Sequence, residues 1–355
     1  MRQASGFIKK GGITAVFGAS ASGKSVMLQA LAGRIKSLSV KGDVLLHGIR
    51  INPMDHGNSI SYVSQFDRNI GILTAREMIR FSIMLKKNLP DDVIEERVNK
   101  VLTDFGIDHV ADTIIGTPFI AGLSGGQKRR VDVGVEFVAS PSVLLLDEPT
   151  SGLDGSISFE VLSAIREKVL ASNKTLSVML SIHQPNSRIL GLFDHILVLG
   201  NDGGMLYFGT VPDAAIHFTN IGFPPPKDYT VTDFMLQVTD TNFSSENKFD
   251  FEGSFICSQQ YLVLQELLQY VEENGLAEQL KLAKGVGPSL AEGEVRSRSQ
   301  AVMDTQLSRN GVNNTSFFRQ YWTLVKRDLL IAKRDLTFVY LQVALVLAFG
   351  FLVGA

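Results

Sequence analysis

The sequence predicts an α/β fold built on a mainly parallel sheet, and three observations predict it. Short β-branched runs alternate with helical patterns from residue 13 to about residue 200, the succession that crossover helices impose on parallel strands. The first strand runs into a glycine-rich loop, Gly18-Ala19-Ser20-Ala21-Ser22-Gly23-Lys24-Ser25, which opens a helix. A later strand, Val143–Leu146, is wholly apolar and ends in paired carboxylates, Asp147 and Glu148.

The elements follow in order. Strands are expected at Ile13–Phe17, Asp43–Leu46, Ile60–Ser64, Val143–Leu146, Leu176–Ile182 and His195–Leu199. The last is followed by Asn201-Asp202-Gly203-Gly204 and then Met205–Phe208, which reads as a hairpin. Helical periodicity marks Ser25–Arg34, Thr74–Met84, Asp91–Phe105, Gly125–Ala139, Ser156–Leu170 and Gln259–Glu273. Pro224-Pro225-Pro226 breaks the pattern, and Gly285–Asn314 has the Gly, Ser, Asn and charge content of a linker. The expected organisation is a nucleotide-binding domain over 1–240, a linker with a short helical segment over 241–314, and a membrane-directed region over 315–355.

Composition narrows the function. Of 355 residues 45% are hydrophobic and 20% charged, enough apolar material to bury a core. A net charge of −2 provides no basic field, so nucleic acid is not an expected partner. The single cysteine, Cys257, excludes an intrachain disulfide and fits a reducing compartment.

The chemistry begins at the loop. Gly18 to Ser25 matches G-x-x-x-x-G-K-[ST] between a strand and a helix. Successive backbone N–H groups of such a loop converge on an anion, and the helix N-terminus adds its dipole. Lys24 is expected to reach the β- and γ-phosphates of ATP, and the Ser25 hydroxyl to ligate Mg²⁺. Asp147 is expected beside the metal shell, with Glu148 polarising the attacking water.

Leu123-Ser124-Gly125-Gly126-Gln127, between those two motifs, opens a helix. It resembles the signature sequence of ABC ATPases. Ser124 would cap a helix whose bare N–H groups, with Gly125 and Gly126, form a second anion site. The resemblance implies a head-to-tail pair of modules, each signature, Gln127 included, closing on the ATP held by the other. It also implies a helical subdomain beside the sheet. In family order, Gln65 resembles the glutamine that senses Mg²⁺ and the γ-phosphate, and Asp154 lies in a loop similar to the one that touches the opposite subunit. His183 resembles the histidine that contacts the γ-phosphate.

Finer resemblance, in Asp147-Glu148-Pro149-Thr150-Ser151-Gly152-Leu153-Asp154, Ile182-His183-Gln184-Pro185 and Tyr207-Phe208-Gly209, is to the G subfamily of half-transporters. It implies a cytosolic ATPase that precedes a multi-pass membrane domain, pairs with an identical or different half-transporter, and exports an unknown substrate. Two departures stand out. Ala21 occupies a position where the family usually has glycine, and a methyl group crowds the backbone there if φ is positive. Strands that usually precede the loop and help hold adenine are expected to be missing or very short, since only 17 residues precede Gly18.

At the far end, Phe318, Trp322, Val325 and Leu329 form a helical stripe over Ser316–Arg334, with Lys326, Arg327, Lys333 and Arg334 at other positions. That composition suits a connecting helix at the cytoplasmic membrane surface. Thr337 to Ala355 contains no charged residue and, at ~1.5 Å per residue, is just long enough for a first transmembrane helix. The basic cluster before it puts the N-terminal side in the cytosol, where the Asn242, Asn313 and Asn314 sequons would stay unmodified. One span makes no pathway, so the chain is expected to be part of a longer transporter. Two other readings stay open: a remnant that binds ATP without hydrolysis or transport, and a soluble ABC ATPase acting on ribosomes or DNA.

Overall fold

The computed structural model describes residues 4–35, 40–46, 48–57, 59–66, 68–183, 185–226, 231–239, 249–284 and 315–335, with 340, 344–346 and 349. The expected linker Gly285–Asn314, the three sequon asparagines and most of Thr337–Ala355 lie outside the described residues. Among the described residues no helix is long and apolar enough to cross a membrane.

The chain forms two compact units, Met1–Phe66 with Ser140–Val312 and Asp67–Ala139 with Asn313–Ala355. The first is built on a six-stranded sheet. Its strands are β1 (Ile13–Gly18), β4 (Ile60–Val63), β5 (Val143–Leu146), β6 (Ser177–Ser181), β7 (His195–Leu199) and β8 (Met205–Gly209), in the order β4-β5-β6-β1-β7-β8. The first five run parallel; only β8 is antiparallel, closing the expected hairpin against β7. Every residue of β1 is buried, as a central parallel strand covered on both faces requires. Burial of a side chain such as Phe17 contributes about 1.5–3 kcal/mol.

Register matters more than the core, because it aligns the strand ends. Val63 pairs with Leu146, Leu146 with Leu180, and Val16 with Ser181. The carboxyl ends of β1, β4, β5 and β6 therefore open onto one edge, where ligands of parallel α/β sheets bind. The helices α1 (Lys24–Leu31), α5 (Gly155–Ala171) and the short α6 (Ser187–Leu190) follow β1, β5 and β6. A small hairpin, β2 (Val44–Leu46) with β3 (Ile49–Ile51), lies outside this sheet, and the pattern reading does not include its second strand.

Further helices form this unit's C-terminal part. α7 (Val211–Asn220) carries start signals, a Thr210 cap and Pro212 in its first turn, that the pattern reading passes over. α8 (Val231–Thr239) and α9 (Phe251–Ile256) follow. Then α10 (Gln259–Lys284) runs past the expected end at Glu273, and Asn274 donates its side-chain amide to the Tyr270 carbonyl one turn back.

The second unit is helical: α2 (Ala75–Lys86), α3 (Asp91–Asp104), α4 (Gly125–Phe137) and α11 (Phe317–Arg334). α2 opens on a capping box, Thr74 with Glu77. α11 is fastened to α2 at both ends. Thr315 Oγ1 donates to the Met84 carbonyl at 3.2 Å, and Arg334 donates to both Glu77 carboxylate oxygens at 2.7 and 2.8 Å. Burial alone would raise the Glu77 carboxyl, but the Arg334 guanidinium and Thr74 N–H hold it below the usual range. Phe318, Trp322 and Leu329, three of the four residues of the expected stripe, are exposed.

Candidate functional site

Lys24 lies at the junction of β1 and α1. The loop between them bends tightly: at Gly18 a Cβ would come within 2.5 Å of Ser22 Oγ and 2.8 Å of the Leu199 carbonyl. Gly23 has φ +96, and Ala21 has φ +69, so the alanine does occupy a left-handed position. The Lys24 ammonium donates to the carbonyls of Gly18 and Ala19, 2.8 Å each. Burial pushes its pKa down, against the opposing pull of the Glu148 and Asp147 carboxylates.

Two features of the loop suit an anion. α1 starts at Gly23 with no side-chain cap, whereas α2, α4, α5 and α7 each have one. Its first N–H groups are thus not taken by a neighbouring side chain. Ser22 is 2% exposed, and its hydroxyl has no hydrogen-bond partner. A buried orphan hydroxyl costs free energy unless something completes it.

Beside the loop, Ser25 Oγ donates to Asp147 Oδ1 at 2.9 Å. Asp147 is 2% exposed and takes two further bonds: Ser181 Oγ donates to Oδ1 at 2.7 Å, and Tyr62 OH to Oδ2 at 3.0 Å. Glu148, half-buried, has φ +45; Gln65 Nε2 donates to its Oε2 at 2.7 Å, and Ser181 Oγ accepts its N–H at 2.8 Å. A hydroxyl and a carboxylate side by side are oxygen donors of the kind Mg²⁺ takes, so the residues fit that ion. Tyr62 and Ser181 belong to this cluster although the sequence reading does not single them out. The available signal was a hydroxyl inside an otherwise apolar parallel strand, where each polar atom needs a partner.

The structure thus brings together Gly18 to Ser25 with Gln65, Asp147 and Glu148. His183 does not join them by a hydrogen bond: two residues past Ser181, it is exposed. Asp154 caps α5, accepting the N–H groups of Ser156 at 2.9 Å and Ile157 at 2.8 Å.

In the second unit, Ser124 and Gln127 form a reciprocal capping box on α4. Ser124 Oγ accepts the Gln127 N–H at 3.3 Å, and Gln127 Oε1 accepts the Ser124 N–H at 2.9 Å. Ser124 and Gly125 are exposed, while Gly126 is buried.

The sequence profile of the ABC transporter family matches residues 1–151. "ABC transporter G family member 13" of Arabidopsis thaliana is 32% identical over 97% of this chain and 52% of its own length. "ABC transporter G family member 22" of Dictyostelium discoideum is 39% identical over 70% of this chain and 41% of its own length. Among solved structures, cbiO1 from Clostridium perfringens, part of the ABC transporter complex cbiONQ, is 26% identical with a TM-score of 0.49. That match covers 61% of this chain and 87% of cbiO1. The chain spans about half or less of the length of the curated relatives it matches.

Proposed function

This chain belongs to the ABC transporter family, of its G type, and carries that family's ATPase domain; on that premise we propose that it couples ATP-driven pairing with a second half-transporter to export across a membrane. The observation that carries the proposal is the hydrogen-bonded cluster joining Ser25, Asp147, Glu148 and Gln65 at the mouth of the Lys24 loop.

The loop N–H groups of Gly18 to Gly23 would hold the phosphates of ATP, with Lys24 turning from its two carbonyls to the β- and γ-phosphates. Ser25, Asp147 and Gln65 would hold Mg²⁺, which when bound neutralises charge on the phosphate oxygens. Glu148 would orient water at the γ-phosphorus and take its proton as the bond to the β–γ bridging oxygen breaks, yielding ADP and phosphate. Gln65, already bonded to Glu148, keeps that carboxylate facing the site. His183, being exposed, is free to turn onto the γ-phosphate. Ser124, Gly125, Gly126 and Gln127 of the second half-transporter would close over the same nucleotide, with Asp154 near the seam. That α4 tip is exposed and already folded by its own capping box, which supports this use.

Residues 1–240 would form the cytosolic ATP-binding domain, 241–314 the linker and 315–355 the entry to the membrane domain. α11 would lie on the bilayer surface, its exposed Phe318 and Trp322 in the headgroup zone, and Thr337–Ala355 would span. Replacing Glu148 by Gln tests the core of the proposal. Hydrolysis should fall by a factor of about 10²–10⁴ while ATP stays bound and holds the protein as a pair with Mg²⁺ present. Unchanged turnover removes Glu148 from its role, and a variant that stays monomeric with ATP and Mg²⁺ removes the sandwich.

A further inference from the structure

Ser181 touches both halves of the Asp147-Glu148 pair. It is fully buried at the end of β6, and its single hydroxyl donates to Asp147 Oδ1 at 2.7 Å while accepting the Glu148 N–H at 2.8 Å. A serine hydroxyl has one proton to give, so donation to Asp147 fixes the hydrogen and leaves a lone pair for the Glu148 N–H.

Glu148 needs that bond. Its φ of +45 is a left-handed conformation, strained for a residue with a side chain. The acceptor on Ser181 gives the Glu148 N–H a bond that favours the conformation. Relaxation to negative φ would swing the carboxylate away from Gln65. Asp147 is constrained from the other side, since Tyr62 fixes Oδ2 and leaves Oδ1 to Ser181 and Ser25. β4 supplies Tyr62 and β6 supplies Ser181; Leu146 pairs with Leu180, so Asp147 and Ser181 each follow the last paired residue of their strands.

We propose that Ser181 is a positioning residue for ATP hydrolysis, setting the water-directing carboxylate of Glu148 at a fixed distance and angle from the metal-holding carboxylate of Asp147. The proposal rests on the ATPase reading above. Ser181 touches neither nucleotide nor ion; it acts through the two carboxylates.

The test uses the full chain and measures ATP turnover against Mg²⁺ concentration alongside equilibrium ATP binding. Ser181→Ala is expected to lower kcat roughly 10–100-fold, the usual cost of removing such a support, with a deficit that saturating Mg²⁺ does not restore. Its ATP affinity should stay within about threefold, because the Lys24 loop is untouched. Tyr62→Phe removes the Oδ2 bond, along with the bond that Gln29 Nε2 donates to the same hydroxyl, and should raise the Mg²⁺ requirement while kcat recovers at saturation. Should the alanine variant not fold, Ser181→Cys keeps the size with a far weaker donor and is expected to lose about 3–10-fold in kcat. Either Ser181 variant turning over at the wild-type rate while Glu148→Gln is inactive overturns the proposal. So does a Ser181→Ala defect that appears only as weakened ATP binding. If wild type and Glu148→Gln hydrolyse alike, the ATPase reading itself fails, and that result is distinct.

Discussion

The carboxylate cluster at the ends of β5 and β6 and the tip of α4 are both tied down by hydrogen bonds, but over different distances along the chain. Asp147 is held by Ser25, Tyr62 and Ser181, which are 122, 85 and 34 residues away. Ser124 and Gln127 hold each other across three residues. The first arrangement exists only when the sheet is assembled, and it is buried. The second forms with one helical turn and stays exposed. Under the proposed function the contrast makes sense: a catalytic pair that must keep a fixed geometry is served by many remote anchors, whereas a surface that closes on something outside needs only a preformed helix tip.

Four experiments press on this contrast. The largest effect is expected at the buried end: Lys24→Ala removes a charged partner for the phosphates and should weaken ATP binding by about 10–100-fold, from ~1.5–3 kcal/mol per charge-assisted bond. Undiminished affinity in a nucleotide titration would detach the loop from the cluster. At the exposed end, Ser124→Ala should lower unfolding stability by only ~1 kcal/mol, the cost of a lost cap, as read in a urea melt. A much larger loss would show that the α4 tip is not locally held. Ala21→Gly probes the loop itself. Relief of the left-handed alanine should raise stability by ~0.5–1 kcal/mol, and a decrease would mean that chain entropy outweighs the strain.

The smallest effect concerns pH. Burial among Tyr207, Phe218 and Phe255 pushes the His217 pKa down, against a hydrogen bond with Gln260 that raises it. The folded state therefore takes its proton at lower pH than the unfolded chain, so the unfolded state binds more protons below about pH 6.5. Stability should decline as pH falls from ~6.5 toward the folded value, and His217→Phe should flatten that part of the profile in thermal melts. His195, similarly lowered by burial, would leave a residual slope.

Most of the sheet was legible because its strands are short apolar runs bounded by loops and helices. Val143–Leu146 and His195–Leu199 match their expected limits, β1, β4 and β8 shift by one residue at one end, and β6 is shorter by one residue at each end. β3 and α7 were not. Ile49–Ile51 is three residues, too short for a periodicity, and α7 carries its signal in a cap and a proline rather than in a stripe. At the site, the loop residues and the Asp147-Glu148 pair announce themselves by spacing. Tyr62 and Ser181 do so less plainly: a hydroxyl on a buried strand signals that it needs a partner, but not that the partner is a carboxylate.

Sequence alone determined the parallel α/β plan, the glycine-rich loop with Lys24 and Ser25, the paired carboxylates, and the α4 cap, since each depends on residues within a few positions of one another. Tertiary structure decided which hydroxyls hold Asp147, that Gln65 reaches Glu148, that Ala21 and Glu148 take left-handed backbone, and that Arg334 ties α11 to α2. Those facts follow from strand register and helix packing, which sum weak preferences over the whole chain and leave no mark at any one position.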